Sequence, residues 1–509
     1  MDKDLLGQQE VRDLCQRAVE AQRQFASASQ AEVDKICGAM SKAGFRASRK
    51  LAELAVADTG MGRVEDKILK NEFATRDVWE FCKDLRTVGV IDHDRRTKHT
   101  VYAEPMGVIA GIIPTTNPTS TAVYKALIAV KSRNALVASP HPNAAECIIE
   151  ALRIVAEAAE KAGAPKGLIS CIAMPSIKAA SALMKNENIA LILSTGGSSI
   201  VRAAHSSGKP AIGVGPGNVP AFVDHTADVR KAINDVIIGK SFDWGTICSS
   251  EQALIVDRRI EKKVLDTIAR TDIYWVKGAE RALLEKFMVP SDGRLNTAVV
   301  GQSPAKIAQL AGFTAPENTQ VLLVDQDGVG PEYPLSREKL SPVLAYYTVS
   351  DTEAGIALAA RVIEYDGVGH TAVIHSSSQE NIERFAERVR AFRVLANTPA
   401  PHGSVGYTTG LEPAMTLGCG TWGGAITGDN ITPLHLINRK HLAIETDPVE
   451  PGGVIGSGRS IKGSYSRYDD VSPGSEGRST VSEQDEQDGQ IEENVITGLA
   501  DKFRQELGN

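Results

Sequence analysis

The chain has 509 residues, of which 42% are hydrophobic and 23% charged, and its formal net charge is −7 at pH 7. This composition is typical of globular proteins, and the length predicts two or three domains. The acidic balance, with a pI near 5.9, argues against a general nucleic-acid-binding protein. A local basic pocket for an anionic cofactor stays compatible with these values.

Cysteine usage and hydropathy bear on the cellular compartment. Seven cysteines at wide spacings form no CxxC pair and no Cys/His cluster, so we predict no metal site and reduced thiols. The first residues lack a cationic region followed by an apolar run, so no signal peptide is predicted. No segment approaches the roughly 18 to 20 apolar residues that a membrane span needs. We therefore expect a cytoplasmic protein with no membrane partner.

Helices are predicted from residue 8 to about residue 94, because apolar and small residues recur there at three- and four-residue steps. The sequence T-G-M-G at 59–62 interrupts this region. A short strand is predicted at 100–105, and we expect it to pair in a hairpin.

Strands and helices alternate from residue 106 onward. Apolar runs predict strands at 108–113, 135–138, 168–172 and 191–194, separated by helices at 120–130, 144–162 and 176–185. Repeated β-α units of this length predict an α/β protein with a doubly wound parallel sheet. A second α/β region is predicted at 226–401, with strands at 253–256, 321–324, 343–348 and 372–374. The glycine-rich segment 403–428 is interpreted as a return to the first region.

The last residues differ in composition from the rest. Gly, Ser, Asp, Glu and Gln dominate residues 451–490, which predicts a flexible linker. Within 491–509, Ile491, Val495, Leu499 and Phe503 recur every four residues and predict one apolar stripe on a short helix. Such a stripe needs a partner groove, either on another protein or on the enzyme itself.

The strongest candidate nucleophile is Cys248, in the small-residue loop G-T-I-C-S-S at 245–250. This loop follows a predicted helix at 229–240 and leads into the strand at 253–256. Backbone N–H groups at such a junction are expected to lower the pKa of a thiol and to stabilise a developing oxyanion. A buried, inert cysteine is the alternative reading, and we keep it for the other six cysteines.

Four motifs in one order resemble those of the aldehyde dehydrogenase superfamily. They are I-I-P-T-T-N-P-T-S at 112–120, S-T-G-G-S at 194–198, the Cys248 loop, and E-K-L-S-P-V at 338–343. The resemblance extends over residues 8 to 450. It is closest to the branch that acylates coenzyme A (CoA), which includes the aldehyde half of bifunctional aldehyde–alcohol dehydrogenases. T-G-M-G at 59–62, P-T-T-N-P at 114–118, G-V-G-H-T at 367–371 and T-L-G-C-G-T-W-G-G at 416–424 all resemble that branch.

The resemblance implies an aldehyde dehydrogenase-like fold with a Rossmann-type cofactor domain, a second α/β catalytic domain and a β oligomerisation arm. The implied divisions are a cofactor domain at 1–97 and 105–225 with a return segment at 402–427, an arm at 98–104 and 428–450, and a catalytic domain at 226–401. Because the arms resemble those that pair subunits, a homodimer or tetramer is expected.

The resemblance also implies roles for the site residues. Cys248 would be the nucleophile, Asn117 would donate to the oxyanion together with the Cys248 backbone N–H, and His370 would take the proton of the CoA thiol. A structural histidine in a glycine turn is the alternative for His370. The implied cofactor contacts are Thr115, Ser139, His141, Thr195, Gly196, Gly197, Ser198, Gly215 and Glu338.

The cofactor is expected to be NAD, with NADP open, because the acidic residue often found near His141 is absent. Three of these contacts have an alternative interpretation without a cofactor. His141 would be an ordinary loop histidine, Gly196–Gly197 a tight turn, and Glu338 a solvated carboxylate.

One absent side chain indicates the acceptor of the acyl group. Hydrolytic aldehyde dehydrogenases carry a water-activating glutamate in a glycine-rich segment, and aligning G-V-G-P-G-N-V-P at 213–220 puts Val214 there. Water, with a pKa of about 15.7, is then a poor nucleophile, whereas a thiol with a pKa of about 8.5 ionises readily. We therefore expect reversible oxidation of a short-chain aldehyde to its acyl-CoA, through an acyl thioester on Cys248.

Two other functions stay open at this stage. One is a hydrolytic or semialdehyde dehydrogenase that releases free acid with another base, and the other is a non-catalytic protein that organises a bacterial microcompartment. Acetaldehyde, propionaldehyde and sulfoacetaldehyde are all compatible substrates. The segment 491–509 resembles the peptides that direct enzymes into such compartments, which implies a shell protein as its partner.

Overall fold

The computed structural model describes residues 3–446. The N-terminal region is helical: α1 (Lys3–Phe25), α2 (Gln30–Arg46), α3 (Ser48–Thr59), α4 (Val64–Glu72) and α5 (Val78–Cys82), with a π-helical turn at Phe73–Asp77. Ser29 and Glu32 form a reciprocal capping box that starts α2. Gly60 ends α3 with φ 66°, a left-handed conformation that favours glycine and explains the break predicted at 59–62.

The predicted helical run to about residue 94 is wrong at its end. Gly89–Asp94 forms strand β1, which pairs antiparallel with β2 (His99–Pro105). The hairpin expected for the second of these strands is confirmed. The side chains of β1 are half-exposed or exposed, so no apolar alternation marked it in the sequence, and its pairing with β2 alone defines it.

The first parallel sheet confirms the predicted alternation. Its elements are β3 (Val108–Ile113), α6 (Pro118–Lys131), β4 (Ala135–Pro140), α7 (Ala145–Ala162), β5 (Ile169–Cys171), α8 (Ile177–Lys185), β6 (Ile189–Thr195), α9 (Ser198–His205) and β7 (Ala211–Val214). The strand order is β5-β4-β3-β6-β7, so the chain builds outward from β3 first on one side and then on the other. The direction reverses between β3 and β6, and ligands bind at the carboxyl ends of strands beside such a reversal.

The second parallel sheet has seven strands in the order β10-β11-β12-β9-β8-β13-β14. Its elements are β8 (Val219–Val223), α10 (Val229–Ser241), β9 (Glu251–Asp257), α11 (Glu261–Ile268), β10 (Ile273–Val276), α12 (Gly278–Met288), α13 (Pro304–Ala311), β11 (Val321–Asp325), β12 (Val343–Val349), α14 (Thr352–Asp366), β13 (Gly369–His375), α15 (Gln379–Arg388), β14 (Ala391–Ala396) and α16 (Ala400–Ser404). The four strands predicted in this region are confirmed.

Strand β8 had no prediction, and it hydrogen-bonds to β9 and β13 of the second sheet. By sheet membership, residues 219–223 therefore lie in the second sheet, while the domain boundary at 226 stays a prediction. Short 3-10 helices lie between the main elements, at Pro142–Ala144, Phe242–Gly245, Arg258–Ile260, Thr297–Val299, Pro334–Ser336, Thr421–Gly423 and Pro433–Leu436.

A small antiparallel sheet joins the two ends of the described region. Strand β15 (Ile437–Ala443) pairs with β2 to give the order β1-β2-β15, and most β15 side chains are exposed. Strands β2 and β15 fall in the segments predicted as the arm, at 98–104 and 428–450, whereas β1 precedes them. The predictions for 447–450, for the linker at 451–490 and for the helix at 491–509 lie outside the described residues.

Buried apolar residues form separate clusters on the two sheets. The cluster of the first sheet also includes Leu417 from the return segment and Ile431 and Leu436 from the residues that follow it, and Cys248 packs at its margin. The nucleophile loop therefore lies where the second region meets the first. Within residues 3–446, no helix combines the length and the apolar character that crossing a membrane requires.

Candidate active site

The nucleophile loop has an unusual backbone just before Cys248. Asp243, Trp244 and Gly245 have φ values of 48°, 51° and 71°, and only the last is a residue that adopts this region freely. A side chain at Gly245 would lie 2.8 Å from the carbonyl oxygen of Ser341. The Cys248 loop therefore packs directly on the predicted motif at 338–343.

The thiol of Cys248 lies 3.2 Å from His370 Nε2. His370 is fully buried, and its Nδ1 lies 2.9 Å from Thr371 Oγ1. Burial, reinforced by the charge of Arg393, holds the pKa of His370 well below its ordinary value, so the ring is neutral. When Nδ1–H donates to Thr371, Nε2 is free to accept a proton from a thiol.

The expected lowering of the Cys248 pKa is wrong. Burial, together with the nearby Glu338 carboxylate, raises the pKa of Cys248 to about 12, whereas Arg393 and the backbone N–H oppose this only in part. Desolvation of a thiolate exceeds the stabilisation by these donors. The ligand-free site therefore holds a protonated thiol, and a neighbouring base is needed to activate it.

This raised pKa predicts how Cys248 responds to pH. Only the thiolate reacts with iodoacetamide, so the rate of alkylation should increase about tenfold per pH unit between pH 7 and pH 10. Quantifying the modified peptide by mass spectrometry over this range measures the profile. A rate that levels off below pH 8 would show that the thiolate is already formed near neutrality.

Asn117 reaches the same loop from the first sheet. It immediately precedes α6, and its Nδ2 lies 3.4 Å from the carbonyl oxygen of Thr246, two residues before Cys248. Its Oδ1 accepts a hydrogen bond of 2.7 Å from Lys70 Nζ. The structure thus brings Asn117, Cys248 and His370 together, as the sequence predicted for an acyl-transfer site.

The glycine-rich segment after β7 lies against the nucleophile. A side chain at Gly217 would lie 2.0 Å from the carbonyl oxygen of Cys248 and 3.1 Å from the His370 ring. Val214, at the position aligned with the hydrolytic glutamate, ends β7 and is buried. Close packing therefore requires glycine at 217, and the side chain at 214 is apolar.

Glu338 also borders this segment. Its Oε1 accepts a hydrogen bond of 3.0 Å from the Gly217 N–H, and burial raises the pKa of the carboxyl to about 8. Its charge also raises the Cys248 pKa. The structure therefore excludes a fully solvated Glu338, while contact with a cofactor ribose stays a prediction.

The predicted cofactor residues share one edge of the first sheet. Thr115 follows β3, Ser139 and His141 lie at the end of β4, Thr195 ends β6, and Gly215 follows β7. Ser139 is buried within its strand, and His141 Nδ1 accepts a hydrogen bond from the Asn143 N–H. Since the carboxyl ends of parallel strands meet at this edge, these residues share the place where such sheets bind ligands, and their contact with a cofactor stays a prediction.

The turn after β6 fits a cofactor phosphate. The hydroxyl of Thr195 is buried without a hydrogen-bond partner among the described residues. Gly196 and Gly197 follow it, α9 begins at Ser198, and no side chain caps this helix N-terminus. An orphaned hydroxyl beside a helix N-terminus suits the pyrophosphate of a dinucleotide.

Several residues of the site had no prediction. Arg393 is buried beside Cys248 and donates to Thr371 Oγ1 at 3.4 Å, and nothing in its strand marked it. Lys67, Lys70 and Asp243 form a buried ionic cluster behind Asn117. The sequence does place the charges of D-K-x-x-K at 66–70 on one helical face. Such charges usually face solvent, so this spacing alone did not indicate a buried cluster.

One group of metal-ligand type occurs within residues 3–446. Asp224, His225 and Asp257 bring ligand atoms within 4.8 Å of one another. Both carboxylates are already hydrogen-bonded, that of Asp224 to Thr226, Thr352, Ser376 and Asn381 and that of Asp257 to Arg259. This group therefore has the structure of an internal hydrogen-bond network.

Comparison with known proteins places these features in a family. The family model described as "Aldehyde dehydrogenase family" matches residues 4–272. The bifunctional aldehyde-alcohol dehydrogenase AdhE of Escherichia coli K12 is 44% identical over 439 residues, which cover 85% of this chain and 49% of that protein. This chain thus spans about half the length of this and similar bifunctional relatives.

Two solved structures extend the comparison. An acetylating aldehyde dehydrogenase from Geobacillus thermoglucosidasius has a TM-score of 0.87 and 45% identity, covering 89% of this chain and 100% of that one. A propionaldehyde dehydrogenase from Rhodopseudomonas palustris, solved with bound propionyl-CoA, has a TM-score of 0.77 and 27% identity, covering 85% and 94%. The predicted fold and family are confirmed: this chain belongs to the aldehyde dehydrogenase family.

Proposed function

We propose that this protein oxidises a short-chain aldehyde to its acyl-CoA with NAD(P)+, reversibly, through an acyl thioester on Cys248. The observation that carries the proposal is the packing of the glycine segment on Cys248. Gly217 lies against the nucleophile, and Val214 stands where a hydrolytic enzyme has a carboxylate. No side chain of that segment can activate water, so the thioester persists until a thiol arrives.

The first half of the reaction forms the thioester. His370 Nε2, 3.2 Å from the sulfur, accepts the thiol proton as Cys248 attacks the carbonyl carbon. The Asn117 amide and the Cys248 backbone N–H stabilise the oxyanion of the resulting hemithioacetal. Bound NAD(P)+ supplies the hydride acceptor. The residues at the carboxyl edge of the first sheet, with Thr195, Gly196 and Gly197 at the phosphates and Glu338 at the ribose, would hold it.

The second half transfers the acyl group. The proton that His370 accepted in the first half passes to solvent, so the buried ring is neutral again and can take the proton of the CoA thiol as the sulfur attacks the thioester. The same oxyanion donors serve the second tetrahedral intermediate. Collapse of this intermediate expels the Cys248 thiolate and releases the acyl-CoA. Every step is chemically reversible, so acyl-CoA is also reduced to aldehyde.

The rival function, hydrolysis to free acid, would have to use Glu338. Its pKa of about 8 makes it a stronger base than an ordinary carboxylate. However, its Oε1 is held by the Gly217 N–H. Whether turnover requires CoA therefore distinguishes the two functions.

Aldehyde-dependent formation of NAD(P)H is expected to require CoA, with turnover at least about 100-fold slower when CoA is omitted. The product with CoA should be the thioester, identified by mass spectrometry. Equal rates with and without CoA, accompanied by free acid, would establish the hydrolytic function instead.

A designed base offers a converse test. Val214→Glu is expected to raise CoA-independent acid formation by at least about tenfold, because it places a carboxylate near the thioester. Val214→Gln, of the same size but unable to take a proton, is the matched control. The rise should therefore occur only in the glutamate variant.

The arm sheet and the divisions drawn from the resemblance complete the proposal. Most side chains of β15 are exposed, and this exposed strand suits pairing of subunits in a homodimer or tetramer. We also propose the cofactor domain, catalytic domain and arm at the boundaries given above.

We further propose that residues 491–509 bind a microcompartment shell protein. The helix predicted for this segment is too short to be stable alone, so its apolar stripe is expected to bind in a groove of a partner. Residues 485–509 fused to a fluorescent protein should form foci in shell-forming cells, whereas a fusion with Val495, Leu499 and Phe503 changed to serine should stay diffuse. Diffuse fluorescence of both fusions would contradict shell binding.

A further inference from the structure

Helix α4 presents a charged face to the protein interior. Lys67 and Lys70 are buried on this face, only 2% and 4% exposed, and both pair with the fully buried carboxylate of Asp243. Asp243 also accepts hydrogen bonds from Thr246 Oγ1 at 2.6 Å and from the Arg63 N–H at 2.7 Å. A charge cluster of this kind is costly to bury, so it needs a specific explanation.

The cluster is built into the nucleophile loop. Asp243 has φ 48°, a conformation that its hydrogen bonds hold in place five residues before Cys248. Gly62, in the T-G-M-G motif, allows this approach, because a side chain there would lie 2.0 Å from the Asp243 carboxylate. Glycine in the motif at 59–62 thus allows the Asp243 carboxylate to contact the interior face of α4.

The two lysines also hold the Asn117 loop. Lys67 Nζ donates to the Thr116 carbonyl oxygen at 3.2 Å, and Lys70 Nζ donates to Asn117 Oδ1 at 2.7 Å. An ammonium group only donates, so it must bind the amide oxygen and not the amide nitrogen. Nδ2 consequently lies on the other side of the amide, 3.1 Å from Thr116 Oγ1 and 3.4 Å from the Thr246 carbonyl oxygen of the nucleophile loop.

The charge balance favours an anion beside this amide. Lys67 and Lys70 bring two positive charges to the one carboxylate of Asp243, while Asp66 is paired with Arg63. Burial lowers the pKa of Lys70 to about 8 and the charge of Asp243 opposes this, so the group is still largely protonated at neutral pH. A positive charge on the acceptor side of an amide strengthens its N–H as a donor.

We propose that Lys70 is a positioning residue for the oxyanion: it fixes Asn117 Oδ1, so that Nδ2–H faces the developing charge and donates more strongly. The proposal deepens the function proposed above and rests on it for the identity of the oxyanion. Lys67 and Asp243 complete the arrangement by anchoring the Thr116 carbonyl and the Lys70 ammonium.

The central test is the variant Lys70→Met. We expect kcat for CoA-dependent aldehyde oxidation to fall about 30- to 100-fold, with the KM values for aldehyde and CoA changed less than about threefold, since the oxyanion exists only after attack. Lys42→Met, at an exposed position on α2, is the matched control and should keep wild-type kinetics. Wild-type kcat in a folded Lys70→Met enzyme would overturn the proposal.

A double-mutant cycle separates positioning from general damage. Asn117→Ala should lower kcat about 10²- to 10³-fold, and adding Lys70→Met to it should cause no further loss, because Lys70 acts through that amide. If the two losses multiply instead, Lys70 does not act through Asn117, and the proposal fails.

Two measurements that need no cofactor complete the test. Acylation of Cys248 by p-nitrophenyl acetate passes through an oxyanion, so Lys70→Met should slow the nitrophenol burst about 30-fold or more. Alkylation by iodoacetamide forms no oxyanion and should change less than about threefold. Parallel loss of both reactions would show a displaced nucleophile and a merely structural Lys70.

Lys70→Gln covers the case in which Lys70→Met does not fold. Its amide keeps an N–H donor for Asn117 without the charge, so the burst should slow about tenfold, and an unchanged burst would overturn the proposal. A slower burst in an enzyme that shows no CoA-dependent turnover would support the role of Lys70 while contradicting the proposed function.

Discussion

Cys248→Ala is expected to lower kcat for CoA-dependent aldehyde oxidation by roughly 10⁵-fold or more, because removing the nucleophile of a covalent mechanism removes the reaction path. The sulfur lies 3.2 Å from His370 Nε2, and Asn117 Nδ2 contacts the carbonyl oxygen of Thr246 on the same loop. NADH formation in the presence of saturating CoA measures the loss. Residual activity above about one tenth of wild type would contradict covalent catalysis by this residue.

The control for this variant is another cysteine that is partly accessible. Cys171 ends β5, an edge strand of the first sheet, and is half-buried. Cys171→Ala should therefore keep wild-type kcat. Thermal unfolding of both variants shows whether either substitution has disturbed the fold.

His370→Gln is expected to lower the rate of acyl transfer to CoA about 10²- to 10⁴-fold at pH 7, since glutamine has no basic nitrogen. A single-turnover experiment, in which preformed acyl-enzyme is mixed with CoA, isolates this step. Because the CoA thiol ionises by itself as the pH rises past about 8.5, the defect should shrink between pH 7 and pH 9. A wild-type rate at pH 7 would rule out His370 as the base.

His375→Gln is the matched control on the same strand. Its ring is also buried, but it lies 3.8 Å from Asp235 rather than beside the sulfur. The acyl-transfer rate of a folded His375→Gln enzyme should stay within about twofold of wild type at each pH. A similar pH-dependent defect in both variants would indicate an effect on the strand and not on proton transfer.

The sequence predicted the elements whose signals are local. Apolar runs of four to six residues marked strands β3 to β6 of the first sheet but not β7, because strands buried on both faces carry no polar alternation. Cys248 was recognisable from its small-residue loop between a helix and a strand, and His370 and Asn117 from motifs in a family order. Strand β1 was not recognisable in this way, because its side chains are exposed or half-exposed and show no apolar–polar alternation. Only its pairing with β2 makes it a strand.

The chemistry of the site depended on contacts between distant residues. The raised pKa of Cys248 arises from burial and from Glu338, which is 90 positions away in the sequence, and the Lys70–Asn117 hydrogen bond joins residues 47 positions apart. Desolvation and charge–charge interaction act through space, so no local pattern encodes them. Residue types and their order therefore determined which groups could react, whereas packing of the two sheets and α4 around the loop decided their protonation and orientation.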